Sequence, residues 1–423
     1  MAYIQEVKYF NCFLLKGSLS GDKYHIEEAR IKGGYNDPSV DFGVRAHIVD
    51  NNYAQQQRTN TLIYSGIYNN KTGVNDTNQF PIDKPITVSV DIQQGSIQKL
   101  FAENEQLNIF QEEKVRYIKI DKDVIYTAEG IPLSTTSNVF LGDVQAYATN
   151  YGIGKNPESF AYYAGRKYFV DRPKGAVLRL SLDGITEISN YGMRGYFRDV
   201  LRGATKVVGI WDMYNKDYVV SIQGGLKDVT LSFDEATNGW VSRYDYIPQA
   251  GGSLDGKFYT FSPYVYNEDA EVVISNPCDI WEHYSNSTHN NFYDSQYTSQ
   301  VSMIFNQNPS ASKNFLTINY EGSKTWNIDT IRAEQDTDIQ DSAKDIIQYN
   351  AANEDLIISG FKLYDGKFYA NLINNSSAKS NEVVFGNSIS GIKGYFATFN
   401  IKTSATTYQE LFSVSTNYNI NSY

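Results

Sequence analysis

Adjacent carboxylates occur at Glu27-Glu28, Glu112-Glu113 and Asp234-Glu235. Two carboxyl groups flanking a glycosidic bond are the machinery of sugar hydrolysis. Neighbours in a strand point to opposite faces, so an adjacent pair does not by itself flank a substrate. Each pair is read as one solvated and one hydrogen-bonded carboxylate. Asp336, Asp338 and Asp341 lack the glycine and terminal glutamate of a calcium loop and are read as a solvated run. The histidines are His25, His47, His283 and His289, with no His-Glu-x-x-His among them. His283, between Glu282 and Tyr284, reads as a packed strand residue. No Gly-x-Ser-x-Gly elbow or Walker loop appears. Cys12 and Cys278 are too few for a disulfide framework or a four-cysteine zinc site, and fit an intracellular history. No catalytic, cofactor-binding or metal-binding residue is therefore assigned.

Charge is more informative. The 423 residues carry 48 acids and 37 bases, a net charge of −11. That balance argues against a bulk polyanion binder, whose affinity rests on many phosphate contacts. One stretch runs the other way: Arg166, Lys167, Arg172, Lys174, Arg179, Arg194, Arg198, Arg202 and Lys206 face four acids, net +5. It is a candidate assembly or DNA-facing stripe; dispersed surface charge is the equal alternative. From Asp329 to Asp355 eight acids face two bases, net −6.

The elements that must position these groups are strands. Tyr at 34 and Phe at 22 suit pleated, half-buried surfaces and exclude intrinsic disorder. Period-two runs cover 107–111, 115–120, 167–170, 176–180 and 217–222. Asp183-Gly184, Asn238-Gly239, Asp255-Gly256 and Asp365-Gly366 are hairpin signals. One helix is expected over 191–201, with Met193, Phe197, Val200 and Leu201 on a single face, and a weaker one over 341–350. Trp211, Trp240 and Trp281 fall in strands and are expected to be largely buried.

A loose repeat is anchored at Leu107, Tyr168, Tyr218 and Tyr259, spaced 61, 50 and 41 residues apart. Propeller blades run roughly 40–50 residues, so an irregular β-propeller fits better than a sandwich. The texture changes near Asn306. The expected organisation is a propeller-like domain over 1–306, with an N-terminal extension, and a smaller β domain over 307–423. No 18-residue apolar run exists, so no membrane span is expected. The start lacks the basic and apolar regions of a signal peptide, which leaves the sequons at Asn70, Asn75 and Asn286 little meaning.

Several phrases, in order, resemble one family. They include Glu27-Glu28-Ala29-Arg30, Leu62-Ile63-Tyr64-Ser65-Gly66-Ile67-Tyr68-Asn69 and Gly95-Ser96-Ile97-Gln98-Lys99-Leu100. Further along stand Asn156-Pro157-Glu158-Ser159-Phe160, Leu231-Ser232-Phe233-Asp234-Glu235 and Glu410-Leu411-Phe412-Ser413-Val414-Ser415. Together they resemble the muzzle (nozzle) proteins of short-tailed, crAss-like phages. The resemblance implies a propeller-based structural subunit of the virion tail, without catalytic residues or cofactors and assembled in the host cytoplasm. It implies a homohexameric ring near the portal that contacts other tail or ring proteins and tail fibres. Genomic double-stranded DNA would pass through the ring, be retained there and exit on infection. An acidic wall suits such a channel, since a tight grip on phosphates would stall exit. The alternative is a propeller that binds or depolymerises host glycans. The structural reading expects no hydrolysis of DNA, peptidoglycan or polysaccharide by purified protein. Cleavage that disappears on mutating Asp234 or Glu235 would overturn it.

Overall fold

The computed structural model describes residues 58–66, 86–120, 141–263 except 226, 279–333, 361–374 and 389–421, plus a few short strands and single residues. His47, Cys278, Asp336, Asp338 and Asp341 lie outside the described residues. The fold is mainly β. The chain forms two compact units, Met1–Lys257 and Phe258–Tyr423.

The first unit is built on three consecutive four-stranded antiparallel meanders. The first sheet comprises Ile97–Glu103, Gln106–Gln111, Val115–Ile120 and Leu141–Ala146. The second comprises Ala161–Tyr163, Arg166–Asp171, Ala176–Ser181 and Gly184–Glu187. The third comprises Lys206–Asp212, Asp217–Gln223, Val229–Asp234 and Gly239–Tyr244. Leu107, Tyr168 and Tyr218 each stand on the second strand of their sheet. The sequence repeat is thus a sheet repeat, each unit beginning one strand earlier than the polar turn suggests. At the Asp255-Gly256 and Asp365-Gly366 turns both residues take positive φ, as a type I′ turn requires.

The second sheet is buried on both faces. Phe169, Ala176, Leu178 and Leu180 pack with Phe110 and Val115 of the first sheet. Tyr168, Val170 and Val177 pack with Val207, Trp211, Tyr218 and Val220 of the third. Alternate residues of one strand therefore enter different cores, and Lys167 to Asp171 are all buried. The alternation read in these strands thus divides side chains between two cores rather than between core and solvent.

One helix, α1, spans Arg194–Gly203 and joins the second sheet to the third. Phe197 and Leu201 are fully buried in the shared core, with Val200 and Met193 beside them. Trp211 is buried, but Trp240 and Trp281 are only half-buried. Trp240 lies on an edge strand, where its ring covers Phe197 and Phe233 and its Nε1 donates to the Ile188 carbonyl at 3.1 Å. The second helical candidate lies outside the described residues, except that Ala343–Lys344 are a short strand.

The second unit packs two sheets around one core. One holds Ser299–Phe305, Ala397–Thr403 and Asn327–Ala333; the other holds Lys313–Gly322, Lys367–Asn371, Ile392–Gly394 and Leu411–Ile420. Phe315, Ile318 and Tyr320 of one meet Ile331, Phe399 and Ile401 of the other.

Gly209 of the third sheet lies against the Pro157–Ser159 turn that precedes the second sheet. A Cβ there would lie 1.9 Å from the Ser159 carbonyl oxygen and 2.7 Å from the Tyr218 hydroxyl. Gly209→Ala is expected to cost about 1–3 kcal/mol by overpacking. Chemical denaturation would measure it, and an unchanged midpoint would contradict this packing.

Candidate assembly surface

The basic stretch threads the second sheet, α1 and the start of the third sheet, and most of its charges are used internally. Lys167 is buried, ion-pairs with Glu103 of the first sheet and lies 5.9 Å from the rings of Phe101 and Tyr162. Tyr162 also donates to Glu103, at 2.9 Å. Hydrogen bonds from Lys167 and Tyr162 hold the Glu103 carboxyl below its ordinary value against the opposing effect of burial. Arg179 donates to Glu235 of the third sheet at 2.7 Å, and Tyr168 donates to the same carboxylate at 2.8 Å. Arg166 lies 3.9 Å from it. Lys174 pairs with Asp171 at 3.4 Å and donates to the Asn150 carbonyl. Arg172 donates to the Ala204 carbonyl, and Lys206 to Gln249 at 2.7 Å. Six of the nine bases therefore bridge or brace sheets, with Arg166 more loosely held.

The exceptions share a helix face. Arg194, Arg198 and Arg202 sit at i, i+4 and i+8 on α1, all exposed, on the face flanking the buried Phe197 and Leu201. Successive guanidiniums rise roughly 6 Å along the axis. Arg198 pairs with the exposed Asp199, at 3.0 Å. The helix is seated closely on the turn at Gly175, whose φ is +66° and where a Cβ would meet Arg198 Cα at 2.7 Å. A cleft of about 430 Å³ lies there, lined by Tyr151, Lys174, Glu187, Arg194 and Arg198. The sequence reading grouped these arginines with six other bases by charge alone; which of the nine were already committed was not visible without the pairing partners.

Two of the three adjacent carboxylate pairs have described side chains, and each includes a carboxylate held by hydrogen bonds. Glu112 accepts from the Ser96 amide at 3.1 Å and its hydroxyl at 2.6 Å, while Glu113 is exposed. Asp234 accepts from the Ala236 and Thr237 amides and closes its own turn, while Glu235 ties two sheets together. The Glu27-Glu28 side chains lie outside the described residues. His283 hydrogen-bonds through Nε2 to Thr260 Oγ1 at 2.6 Å, and burial pushes its pKa down to about 4. Among the described residues no group of three or more His, Cys, Asp or Glu is placed to hold a metal.

One acidic row escaped the sequence reading. Asp212, Asp217 and Asp234 are direct cross-strand neighbours at one end of the third sheet. Asp212 accepts from the Tyr214 amide at 2.8 Å. A cleft of about 640 Å³ beside the row includes Tyr163, Arg166, Trp211, Asp217 and Asp234. Burial, then repulsion from Asp234 and Asp212, pushes Asp217 up to about 6, with Ser232 opposing.

Two family models match the chain: the Crassvirus muzzle protein over residues 77–264, and the Crassvirus muzzle protein C-terminal domain over residues 287–375. The chain belongs to the Crassvirus muzzle protein family. It is accordingly a phage structural protein and a component of the virion tail, as the ordered phrases implied. No curated protein sequence matches it. Among solved structures, the exo-β-1,3-galactanase of Phanerochaete chrysosporium with β-1,3-galactotriose aligns at 9% identity, covering 85% of this chain and 100% of its own. Its TM-score is 0.18, so the likeness carries no argument about fold or function. Among the described residues of this muzzle-family chain, no helix is long and apolar enough to cross a membrane.

The Asp217 carboxyl has a folded-state pKa above its unfolded value of 3.8. The folded state thus binds the proton more tightly, and this group's contribution to stability falls as pH rises from about 4 to about 6. Asp217→Asn is expected to stabilise the protein by about 1–2 kcal/mol at pH 7.5 and by little at pH 4. Denaturant melts at the two pH values would check it.

Proposed function

We propose that this protein is a non-enzymatic ring subunit of a short phage tail. In that reading the ring is homohexameric and continues the DNA channel, retains the packaged genome and releases it on infection. The three stacked meanders serve as successive blades of an irregular propeller. The partners are other copies, neighbouring tail or ring proteins and tail fibres, with genomic double-stranded DNA passing through without sequence-specific contact. Assembly takes place in the host cytoplasm. Membership of the muzzle family carries this reading, and two physical features support it. A net charge of −11 suits a wall along which phosphates must slide. The arginine row on α1 is the part of the basic stretch left facing outward.

The row supplies a docking rule. Arg194, Arg198 and Arg202 of one subunit meet the acidic run 329–355 of its neighbour or of another tail protein. Opposed patches of this kind act mainly on register and association rate. Reversing the three arginines to glutamate is expected to slow ring assembly by about tenfold or more at low salt, with the gap narrowing as salt rises. Native mass spectrometry follows the kinetics, and cryo-EM of tails gives copy number and contacts. A ring with contacts remote from both stretches sinks the docking rule. A single copy in the virion sinks the ring itself.

A further inference from the structure

Natural sheets guard their edges, because an unpaired row of amides and carbonyls is a template for another strand. The first unit follows this rule. Its six meander edges either carry a charge or are very short: Lys99 and Glu103, Asp143, Glu187, Lys206 and Asp212, and Arg243 mark five of them. The sixth, Ala161–Tyr163, has only three residues.

Two edges of the second unit break the rule. Ser299–Phe305 pairs with Ala397–Thr403, and Leu411–Ile420 pairs with Lys313–Gly322. Among the described residues neither has a partner on its outer side. The first is seven residues long and the second ten. Neither contains Asp, Glu, Lys, Arg, Gly or Pro. Each also exposes large apolar side chains: Val301 and Ile304 on one, Phe412 and Ile420 on the other. Neither strand carries a charge that would repel an incoming strand, and the one irregularity recorded in the pairing of Leu411–Ile420 on its own side, at Phe412, leaves Ser413–Ile420 free of interruption on this strand. By contrast, the Lys362–Tyr364 edge of the larger sheet is short and carries Lys362.

We propose that the outer edge of Leu411–Ile420 in one copy pairs with the outer edge of Ser299–Phe305 in a second copy, joining sheets of adjacent subunits into one continuous ladder. The occupant is a second copy because one unit carries both halves of the contact. Two long, uncharged edges lie on different sheets, so the contact uses two different patches of the same chain. Such a head-to-tail contact propagates and closes into a ring when the rotation allows. Seven paired residues would give a ladder of roughly 23 Å. The main-chain bonds supply affinity, and the alternating side chains set register. This inference rests on the ring reading and names the contact that would build it; it does not require the arginine row.

The test uses the full chain and two surface variants. Phe412→Lys with Asn417→Lys charges the longer edge, and Ser302→Lys with Ile304→Lys charges the shorter one; all four residues are exposed. Circular dichroism and thermal melting establish that both variants fold. Native mass spectrometry and analytical ultracentrifugation then read the mass. Wild type is expected to oligomerise, and each variant alone is expected to be at least tenfold depleted in oligomer. Mixing the two variants is expected to restore dimers and nothing larger, because each retains the edge the other lacks. If both variants keep the wild-type oligomer, the edge pairing is overturned while the ring reading stands. If one variant alone still dimerises and mixing adds nothing, an edge pairs with its own copy and the head-to-tail contact is overturned. A monomeric wild type overturns the edge pairing, whereas the ring reading falls only to a single copy in the virion.

Discussion

A stack of four aromatic rings joins the second and third sheets. Tyr163 lies on Trp211 at 4.4 Å, Trp211 on Tyr168 at 5.5 Å, and Tyr168 on Tyr218 at 4.8 Å. The rings come alternately from the two sheets, so neither sheet can shift without breaking a ring contact. Tyr168 and Tyr218 are fully buried, yet their hydroxyls are satisfied by Glu235 and by the Ser159 carbonyl. Burial pushes both phenols far above their ordinary range, so they stay neutral donors. Each ring contact adds about 0.5–1.5 kcal/mol beyond area burial. Gly209 leaves the Tyr218 hydroxyl and the Ser159 carbonyl room to meet.

The charges follow from that packing. Once meanders stack, long side chains at their rims lie between two sheets, and each requires a partner there. Lys167 finds Glu103 on one side of the second sheet, and Arg179 finds Glu235 on the other. Removing one partner would leave the other under-satisfied in a poorly solvated site. These bases therefore serve cohesion within the subunit. Helix α1 escapes because only one of its faces is needed for the core, and the exposed face beside it carries three guanidiniums to the surface.

The two units manage their boundaries differently. The meanders are capped by charged or short edges and bury their faces on one another. The C-terminal sheets bury one shared core but leave two long edges plain. In a protein whose work is assembly, an open edge is a place where main-chain bonding between subunits can begin. The interior charges thus hold the subunit together, while among the described residues the two edges are left without a strand partner.

Much of the fold is local and was legible in the sequence. Alternation marked the strands, Asp-Gly turns marked hairpins, and the aromatic anchors marked the sheet repeat, because each signal spans a few residues. The helix and its apolar face of Phe197 and Leu201 followed from a 3.6-residue period alone. Family membership was legible too, through the order of short phrases. Pairing across long sequence separations was not. Glu235 meets Tyr168 and Arg179 from 67 and 56 residues away, and Asp212, Asp217 and Asp234 align only once three strands are in register. The half-burial of Trp240 was hidden for the same reason: edge or centre is a property of the sheet, and a strand's own residues do not encode its neighbours. Sequence determined which segments extend and which face each side chain takes; tertiary structure alone decided which charges are spent inside and which edges remain open.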